Sequence, residues 1–392
     1  MSDWQESALG RVAKIQTGPF GSQLKNDQYI TGGTPVVTVE HINNFRVSEF
    51  DYPSVNEENK DRLSRYILRA GDIVFTRVGS VDLSAYIQPH QEGWMFSSRM
   101  LRVRPNENLD ARYLSYFFQQ KSFRENLLSI AVGATMPSIN TEILEGVSVT
   151  YPRLTEQKAI AAVLSSLDDK IDLLHRQNQT LETMAATLFR QWFVEEAQED
   201  WEDGVISDLV EFNPQRKLAK GTIAPYLEMA SLSTSTFNPG GWYDREFSSG
   251  TKFMNEDTLL ARITPCLENG KTAYVTILDK DQIGWGSTEF IVMRPKGELH
   301  PFFAYALARN SDFRDFAEGC LAGSSGRQRV ETNHLMSYKI KIPSDEIVRK
   351  FNAIVGSIAP KLHSNAVQIR TLEKLRDTLL PKLMSGEVRV AT

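Results

Sequence analysis

Apolar side chains recur at alternating steps of four and three residues near the middle of the chain. The series consists of Ile160, Leu164, Leu167, Ile171, Leu174, Leu181, Ala185, Leu188 and Trp192, with Asn178 in the same phase. An apolar spacing of about 3.5 residues forms one stripe along a helix, which is the seam of a coiled coil. The pattern therefore predicts a long helix that packs lengthwise against another helix.

The same pattern returns 191 residues further along the chain. The second seam consists of Phe351, Val355, Ile358, Leu362, Asn365, Ile369, Leu372, Leu379 and Leu383. Arg376 interrupts it at the position that corresponds to Ala185. Pro360 is expected to kink or interrupt the second helix, because proline lacks an amide hydrogen. We therefore expect the second helix to be the less regular one.

The segments that precede the two helices also match each other. The aligned pairs are DWQESALGRVAKI (3–15) with DWEDGVISDLVEF (200–212), GDIVFTRVG (71–79) with EDTLLARIT (256–264), MLRVRP (100–105) with FIVMRP (290–295), and SFRENL (122–127) with DFRDFA (312–317). A repeat of this length indicates a duplicated domain. The chain is predicted to contain a first domain over 1–153, a helix over 154–194, a second domain over 195–342 and a second helix over 343–388.

Short apolar runs alternate with turn residues inside each domain. The runs TPVVTVEHI (34–42), DIVFTRV (72–78), SVTYP (148–152) and EFIVMRP (289–295) have the length of strands. The segments LDARYLSYFFQQKSFRENLLS (109–129) and LHPFFAYALARNSDFRDFAEG (299–319) are typical of amphipathic helices. Both copies are therefore predicted to be mixed α/β domains.

Composition excludes several classes of protein. Hydrophobic residues make up 41% of the chain and charged residues 24%, as in ordinary globular proteins. No run approaches the ~18 apolar residues of a membrane helix, and the start MSDWQESALG lacks the parts of a signal peptide. We expect a cytoplasmic protein without membrane contact. Cys266 and Cys320 have no partner at ligand spacing, so reduced thiols are expected rather than a metal site or a disulfide.

The net charge of −5 argues mildly against a protein whose whole surface binds nucleic acid. The charge is unevenly placed, however. Acidic residues crowd one linker, namely Glu195, Glu196, Glu199, Asp200, Glu202 and Asp203. Residues 62–104 instead carry an excess of arginines, namely Arg62, Arg65, Arg69, Arg77, Arg99, Arg102 and Arg104. A local basic face is therefore expected in the first domain.

Catalytic motifs are not found in the sequence. There is no GxxxxGK[ST] phosphate loop, no GxGxxG after a strand and no [DN]PP[FY] stretch that could hold a flipped base. The six histidines are scattered without an HExxH spacing. We expect no catalytic residue, no metal site and no cofactor in this chain.

Three glycine-rich loops remain, TGPFGSQLK (17–25), GATMPSIN (133–140) and GSSGRQRV (323–330). Taken alone, each is more readily explained as a connecting loop, because turns favour these residues. Arginine, amide and hydroxyl side chains on braced loops also read base edges in a major groove. The candidate DNA-binding residues are Lys25, Arg77, Thr135, Ser138, Arg262, Ser324, Arg327, Gln328 and Arg329. Arg77 and Arg262 could equally form internal ion pairs.

Together these segments resemble the specificity subunit of a type I restriction-modification system. The resemblance is carried by TGPFGSQL (17–24), GDIVFTRVGS (71–80), YPRLTEQKAIAAVLSSLDDKIDLLHRQNQTL (151–181), LFRQWF (188–193), APYLEMASLS (224–233), LLARITPCLENGK (259–271), GSTEFIVMRP (286–295) and LLPKLMSGEV (379–388). It implies two target-recognition domains of the α/β (α+β) class, joined by two long antiparallel coiled-coil helices in a pseudo-two-fold arrangement. Each domain would read one half of a gapped sequence in double-stranded DNA.

The resemblance also implies partners. Two methyltransferase subunits would dock partly on the helices, and two restriction and translocase subunits would complete the complex. S-adenosylmethionine, ATP and magnesium would belong to those partner subunits. The predicted partner-binding residues are Leu167, Ile171, Leu174, Leu181, Ile358, Leu362, Ile369 and Leu372. The second helix departs from the first, because Ile347 and Val348 replace Glu156 and Gln157, which puts the equivalence of the two docking surfaces in doubt.

Two alternatives stay open. The chain could be a non-catalytic scaffold whose domains bind protein and whose coil dimerises. It could also be the separated specificity region of a type II restriction-methylation enzyme. A scaffold would show no preference for a DNA sequence, and a neighbouring reading frame with [DN]PP[FY] would favour a separate subunit.

Overall fold

A computed structural model describes residues 4–48, 50–133, 135–197, 201–324 and 326–390. Glu199 and Asp200 of the acidic linker lie outside the described residues. The chain divides into two compact units. Unit 1 comprises Met1–Lys170 and Leu372–Thr392, and unit 2 comprises Ile171–Thr371. Each unit therefore contains one globular domain and a part of each long helix.

The strands are short, and the two units carry similar sets. Unit 1 contains β1 (Gln5–Ala8), β2 (Ala13–Thr17), β3 (Thr34–Val37), β4 (Ile42–Asn43), β5 (Arg46–Val47), β6 (Ser54–Val55), β7 (Ile73–Thr76), β8 (Ser84–Tyr86), β9 (Met95–Phe96), β10 (Met100–Pro105) and β11 (Ser148–Tyr151). Unit 2 contains β12 (Asp203–Val205), β13 (Val210–Phe212), β14 (Ile223–Leu227), β15 (Tyr243–Glu246), β16 (Thr251–Phe253), β17 (Thr258–Ala261), β18 (Thr272–Tyr274), β19 (Gly284–Gly286), β20 (Phe290–Pro295) and β21 (Lys339–Lys341).

Two helices are far longer than the rest. The α-helices are α1 (Leu9–Val12), α2 (Glu57–Arg62), α3 (Ala111–Gln119), α4 (Lys121–Ile130), α5 (Thr141–Gly146), α6 (Leu154–Arg190), α7 (Ile206–Leu209), α8 (Phe302–Arg309), α9 (Ser311–Gly319), α10 (Thr332–Met336) and α11 (Asp345–Met384). Short 3-10 turns and a π-helical turn at Gln191–Glu195 complete the set. In the described part of the chain, no helix is both long and apolar enough to cross a membrane.

The central sheet has the same construction in both units. Its order is β2-β10-β7-β8 in unit 1 and β13-β20-β17-β18 in unit 2, and all these pairs are antiparallel. A second sheet follows in each unit and contains one parallel pair, β3 with β9 in the order β6-β3-β9 and β14 with β19 in the order β15-β14-β19-β16. A ribbon joins the start of each domain to its end, β1 with β11 and β12 with β21. The predicted mixed α/β class and the duplication are confirmed.

Each predicted amphipathic helix over 109–129 and 299–319 is in fact a pair of helices. In unit 2 the break falls at Asn310, which is extended (φ −68°, ψ 136°) and whose side chain accepts a hydrogen bond from the amide of Phe313 at 3.2 Å. Asparagine is a strong N-cap residue, so it starts a new helix here. In unit 1 the corresponding break falls at Gln120. Periodicity alone did not reveal these breaks, because the apolar face continues across them.

The expectation that Pro360 interrupts the second long helix was wrong. Helix α11 continues unbroken from Asp345 to Met384, whereas α6 passes into the π-helical turn at its end. Proline removes one backbone hydrogen bond, but its neighbours Ile358, Ala359 and Leu362 are 4%, 7% and 0% exposed. Burial of this apolar face outweighs the lost bond, since packing rather than propensity supplies most helix stability.

The two long helices run antiparallel inside each unit. In unit 2 the rings of Phe193 and Phe351 meet at 5.1 Å between centroids. Further along, the side-chain amide of Asn365 donates to Asn178 Oδ1 at 2.9 Å, and both residues are buried. A paired asparagine in an apolar seam can form this hydrogen bond in one register only, so it selects that register.

Arg376, which interrupts the second seam, forms an ion pair in unit 1. Its Nη1 lies 2.9 Å from Asp168 Oδ1 on α6, and both side chains are largely buried. Tyr116 of α3 donates its hydroxyl to Asp168 Oδ2 at 2.6 Å. Asp168 therefore joins α6 to Arg376 of α11 and to Tyr116 of the domain of unit 1. The residue that interrupts the apolar seam thus forms a specific contact.

Glu156 and Gln157 are also used inside unit 1. Gln157 is 1% exposed, and its Oε1 accepts from the amide of Asp110 at 2.8 Å, while its Nε2 donates to the carbonyl of Pro152 at 2.9 Å. Glu156 pairs with Arg389 at 2.8 Å. The difference between the helices at these positions therefore reflects how each helix joins its own domain.

Glu182 of α6 supplies a pH-dependent contact in unit 2. Tyr305 donates its hydroxyl to Glu182 Oε2 at 2.9 Å, and burial raises the pKa of Glu182 to about 7 from 4.5. The folded protein therefore holds a proton that the unfolded chain releases above pH ~4.5. This contribution to stability is fully present below pH ~4.5 and is lost as the pH rises through about 7.

We expect Glu182→Gln to remove this pH dependence. The amide can accept the same hydrogen bond without carrying a charge, so the variant gains stability relative to the natural protein at pH 8.5, by about 3 kcal/mol at most. Urea unfolding of both proteins at pH 5.5, 7 and 8.5 measures the difference. Parallel stability profiles over this range would contradict the role given to Glu182.

Candidate nucleic-acid interface

One end of the central sheet in unit 1 gathers the loops that carry the predicted DNA-binding residues. Strand β10 is antiparallel to both β2 and β7. The chain therefore leaves β2, leaves β7 and enters β10 at the same end of the sheet. We call this end the first loop edge. It is formed by residues 18–25, 77–82, 97–99 and 132–138.

Loop 132–138 is fastened to this edge by backbone hydrogen bonds. The amides of Val132 and Ser138 donate to each other's carbonyl at 2.9 and 2.8 Å. The amide of Ile139 donates to the carbonyl of Arg77 at 2.9 Å. The segment that carries Thr135 and Ser138 is thus held beside Arg77.

Two arginines lie next to each other at the first loop edge. The backbone amide of Arg77 donates to the carbonyl of Arg99 at 2.9 Å, so both side chains emerge at neighbouring strand ends. Arg99 is exposed and Arg77 is half-buried, with its Nε buried and without a hydrogen-bond partner. Among the residues that the structure describes, no carboxylate pairs with either guanidinium. The edge therefore presents unneutralised positive charge.

Unit 2 repeats the same connections. The amide of Arg262 donates to the carbonyl of Glu289 at 3.0 Å, and the amide of Val330 donates to the carbonyl of Arg262 at 2.9 Å. Ala322 and Arg329 exchange two backbone hydrogen bonds at 3.0 and 2.9 Å. We call this end of the sheet the second loop edge. Its loops meet in the same way as those of the first.

The second loop edge differs from the first in its charge. Glu289 Oε1 accepts from both Nε and Nη2 of Arg329, at 2.9 and 2.8 Å. Arg262 donates from Nη2 to Glu331 Oε1 at 2.9 Å. The hydrogen bonds and the charge of Glu289 raise the pKa of Arg329 above its ordinary value. In the chain by itself, Arg262 therefore forms an internal ion pair, whereas the described residues show none for Arg77.

Arg327 and Arg329 have different surroundings. Nη1 of Arg329 donates to the carbonyl of Arg327 at 3.3 Å, so three of its nitrogens are engaged inside the chain. The side chain of Arg327 is exposed, and the described residues offer it no partner. A bidentate contact to guanine needs two available N–H groups. Arg327 meets this condition, whereas Arg329 would first have to leave Glu289.

The remaining predicted residues lie on the same loops. Lys25, Thr135 and Ser324 are exposed, and Ser138 and Gln328 are half-buried. The backbone amide of Gln328 donates to Thr264 Oγ1 at 3.1 Å, which holds the loop to the segment after β17. The structure thus places Arg77, Thr135 and Ser138 at the first loop edge, and Arg262, Arg327, Gln328 and Arg329 at the second. Contact with DNA stays a prediction for all of them.

The predicted partner-binding residues lie in the seam of the long helices. Five of them are at most 6% exposed in the chain by itself, namely Ile171, Leu174, Ile358, Leu362 and Ile369. Leu167, Leu181 and Leu372 are half-buried. The buried five pack within the chain, so a docked partner would reach them only after the helices separate. Exposed apolar side chains on the helices that could touch a partner are Leu173, Met184, Val367 and Leu375.

In the ranges that the structure describes, no group of three or more His, Cys, Asp or Glu side chains is placed to hold a metal ion. Cys266 and Cys320 are free thiols, both partly exposed.

Sequence reasoning did not place Arg99, Glu289 or Glu331 among the site residues, although Arg99 belongs to the expected basic face. Arg99 and Glu289 occupy equivalent positions immediately before β10 and β20, one cationic and one anionic. The aligned pair MLRVRP and FIVMRP begins one residue later, so extending that alignment would have revealed the reversed charge. Pairing of Glu289 with Arg329 depends on the fold and had no local signal.

Two copies of one mixed α/β domain, each with a loop edge and each packed on long helices, define a duplicated two-domain protein. A family model described as the type I restriction modification DNA specificity domain matches residues 1–183 and 198–359. The chain belongs to this family.

Relatives extend the match over the whole chain. The type I restriction enzyme MjaIX specificity subunit of Methanocaldococcus jannaschii is 25% identical and covers 99% of this chain and 94% of the relative. The type I restriction enzyme HindI specificity subunit of Haemophilus influenzae is 21% identical, and the match covers 99% of this chain and 100% of the relative. The crystal structure of a type I restriction-modification S subunit from M. genitalium shares the fold, with a TM-score of 0.62, 16% identity and coverage of 97% and 96%.

We expect Arg329 and Glu289 to act as one brace for loop 322–329. Arg329→Ala and Glu289→Gln should each speed amide hydrogen exchange in this loop, and the double variant should add little, because both remove the same contact. Arg327→Ala is the matched control and should leave exchange unchanged. Equal exchange in the natural protein, the two single variants and the double variant would show that the ion pair does not hold the loop.

Proposed function

We propose that this chain is the DNA sequence-specificity subunit of a type I restriction-modification complex, and that each domain reads one half of a gapped duplex target. The observation that carries the proposal is the pair of loop edges, which share their backbone connections and differ in their side chains. A repeated scaffold with diverged loops is what two independent half-site readers require. Arginine, amide and hydroxyl groups on braced loops suit base edges and phosphates.

The chain would do no chemistry itself. Two methyltransferase subunits would dock on it, and two restriction and translocase subunits would join them. S-adenosylmethionine, ATP and magnesium would be bound by those subunits. Support for this assembly comes from membership in the specificity family and from the lack of catalytic motifs in the sequence. Such a complex would act in the cytoplasm, where its DNA is.

The acidic balance of the chain is compatible with this function. Its net charge is −5, so phosphate contacts by this chain alone would be few. The unneutralised Arg77 and Arg99 provide a local exception. We infer that the methyltransferase subunits supply most of the phosphate contacts around the target.

The long helices would set the distance between the two half-sites. Helix α6 has 37 residues and α11 has 40. At about 1.5 Å per residue, each is ~55 to 60 Å long, or roughly one and a half turns of B-DNA. A rigid element of this length can act as a spacer.

Exchange of one domain should change one half of the target. We expect that replacing residues 195–342 by the corresponding domain of a relative alters one methylated half-site and leaves the other and the gap unchanged. Sequencing of methylated adenines in a host that carries the exchanged subunit gives the result. A change in both half-sites would rule out independent reading, and unchanged methylation would favour a scaffold without base contacts.

Lengthening both helices should widen the gap or abolish methylation. One in-phase heptad in each helix preserves the seam and adds ~10 Å, about three base pairs, and rotates the second half-site by roughly 100°. Insertion of four residues into each helix, which disturbs the seam, is the control. Methylation at the original gap with full efficiency after the heptad insertion would mean that the helices do not set the spacing.

A further inference from the structure

The first loop edge exposes large apolar side chains. Val132 and Met136 are each 63% exposed, and Phe20, on the loop after β2, is 55% exposed. Single exposed apolar residues are common, but several on loops at one edge indicate a contact surface. The equivalent loop of unit 2 exposes Ser324 and Arg327 instead.

Loop 132–138 holds these side chains outward. Besides the paired backbone bonds of Val132 and Ser138, the Ser138 hydroxyl donates to the carbonyl of Val132 at 3.1 Å. Gly133 has a φ of +106°, and a Cβ there would lie 2.6 Å from the carbonyl oxygen of Met136. Only glycine permits this close turn. The loop is therefore held at its base by hydrogen bonds, and the side chains of Val132 and Met136 are largely exposed to solvent.

The residues beside loop 132–138 indicate which kind of molecule its apolar side chains would contact. Arg77 is joined to this loop through its backbone, and Arg99 lies beside it, both without a carboxylate partner in the described chain. We call Val132 and Met136 the apolar tip of this loop. Positive charge next to the apolar tip suits a polyanion that also offers an apolar group. In the major groove of B-DNA, the apolar group on the base edges is the C5-methyl of thymine.

We propose that Val132 and Met136 contact a thymine methyl group, so that the first domain requires an A·T pair in its half-site. This rests on the proposed function and adds the kind of base that is read. Among its described residues, the second loop edge exposes no large apolar side chain, and Arg327 and Gln328 there carry the donors and acceptors that suit purine edges. The two half-sites would therefore differ in chemistry as well as in sequence.

Deoxyuridine tests the contact, because it removes the methyl group and keeps the base pair. The full chain, bound to its methyltransferase subunits, is titrated with duplexes that carry the mapped target. Each thymine is replaced in turn by deoxyuridine, in both half-sites. We expect one position in the half-site of the first domain to lose about fourfold in affinity, or ~0.8 kcal/mol for one methyl group.

The protein variants are Val132→Thr, which keeps the shape and replaces one methyl group by a hydroxyl, Met136→Gln, which keeps the length, and the double variant. Each single variant should bind the thymine duplex more weakly and show a smaller deoxyuridine penalty, because part of the apolar contact remains. The double variant should show the smallest penalty. Ile223→Thr is the matched control, since Ile223 is 72% exposed on β14 of unit 2. It should keep the full deoxyuridine penalty.

Several outcomes would overturn the proposal. The first half-site could contain no A·T pair, or no deoxyuridine could weaken specific binding. Either result would contradict the methyl contact and would leave half-site reading intact. Weaker binding by the variants with no effect of deoxyuridine would point to an apolar wedge between base steps. Loss of co-purified methyltransferase subunit from the variants would make the tip a protein contact. Equal affinity of the natural complex for target and scrambled duplexes would overturn both this inference and the proposed function.

Discussion

The recognition domains depend on one buried aspartate in each central sheet. Its ion pair with an arginine of the neighbouring strand, which we call the clamp, holds the two strands together. Asp72, 1% exposed, lies 2.6 Å from Nε of Arg104, and Asp257, 0% exposed, lies 2.5 Å from Nε of Arg294. Each aspartate also accepts a backbone amide of the turn before its strand. A buried ion pair is tolerated only when its partners are satisfied, and loss of one partner is strongly destabilising. The clamp therefore holds β7 to β10, and β17 to β20, in one register.

The register of these strands determines which side chains lie next to each other at the opposite end of the sheet. Because the clamped strands cannot slip, Arg77 emerges beside Arg99 in one unit and Arg262 beside Glu289 in the other. A shift of one residue would turn these side chains to the other face of the sheet. The clamp is the same in both copies, whereas the loop edges have diverged. One framework can therefore present two different surfaces.

Polar contacts also fix the register of the two long helices. An apolar seam with a regular repeat can pair in more than one register. Asp168 with Arg376 in unit 1, and Asn178 with Asn365 in unit 2, place hydrogen-bonding groups where only one alignment satisfies them. The positions that correspond to Asp168 and Arg376 in the other unit are alanines, so these contacts do not follow the repeat. They make each helix pair specific to its own unit.

The sequence by itself determined the long helices, the duplication and the mixed class of the domains. These features follow from periodicity and from self-comparison, which act over short distances or need only an alignment. It could not show that Asn310 starts a new helix, that burial overrides Pro360, or that the seam residues proposed to face a partner are already covered by the chain. It also left open whether Arg262 and Arg329 are free. Their carboxylates, Glu331 and Glu289, lie 69 and 40 residues away. Whether an arginine is paired depends on which charges the fold brings within hydrogen-bonding distance, so only the tertiary structure could decide it.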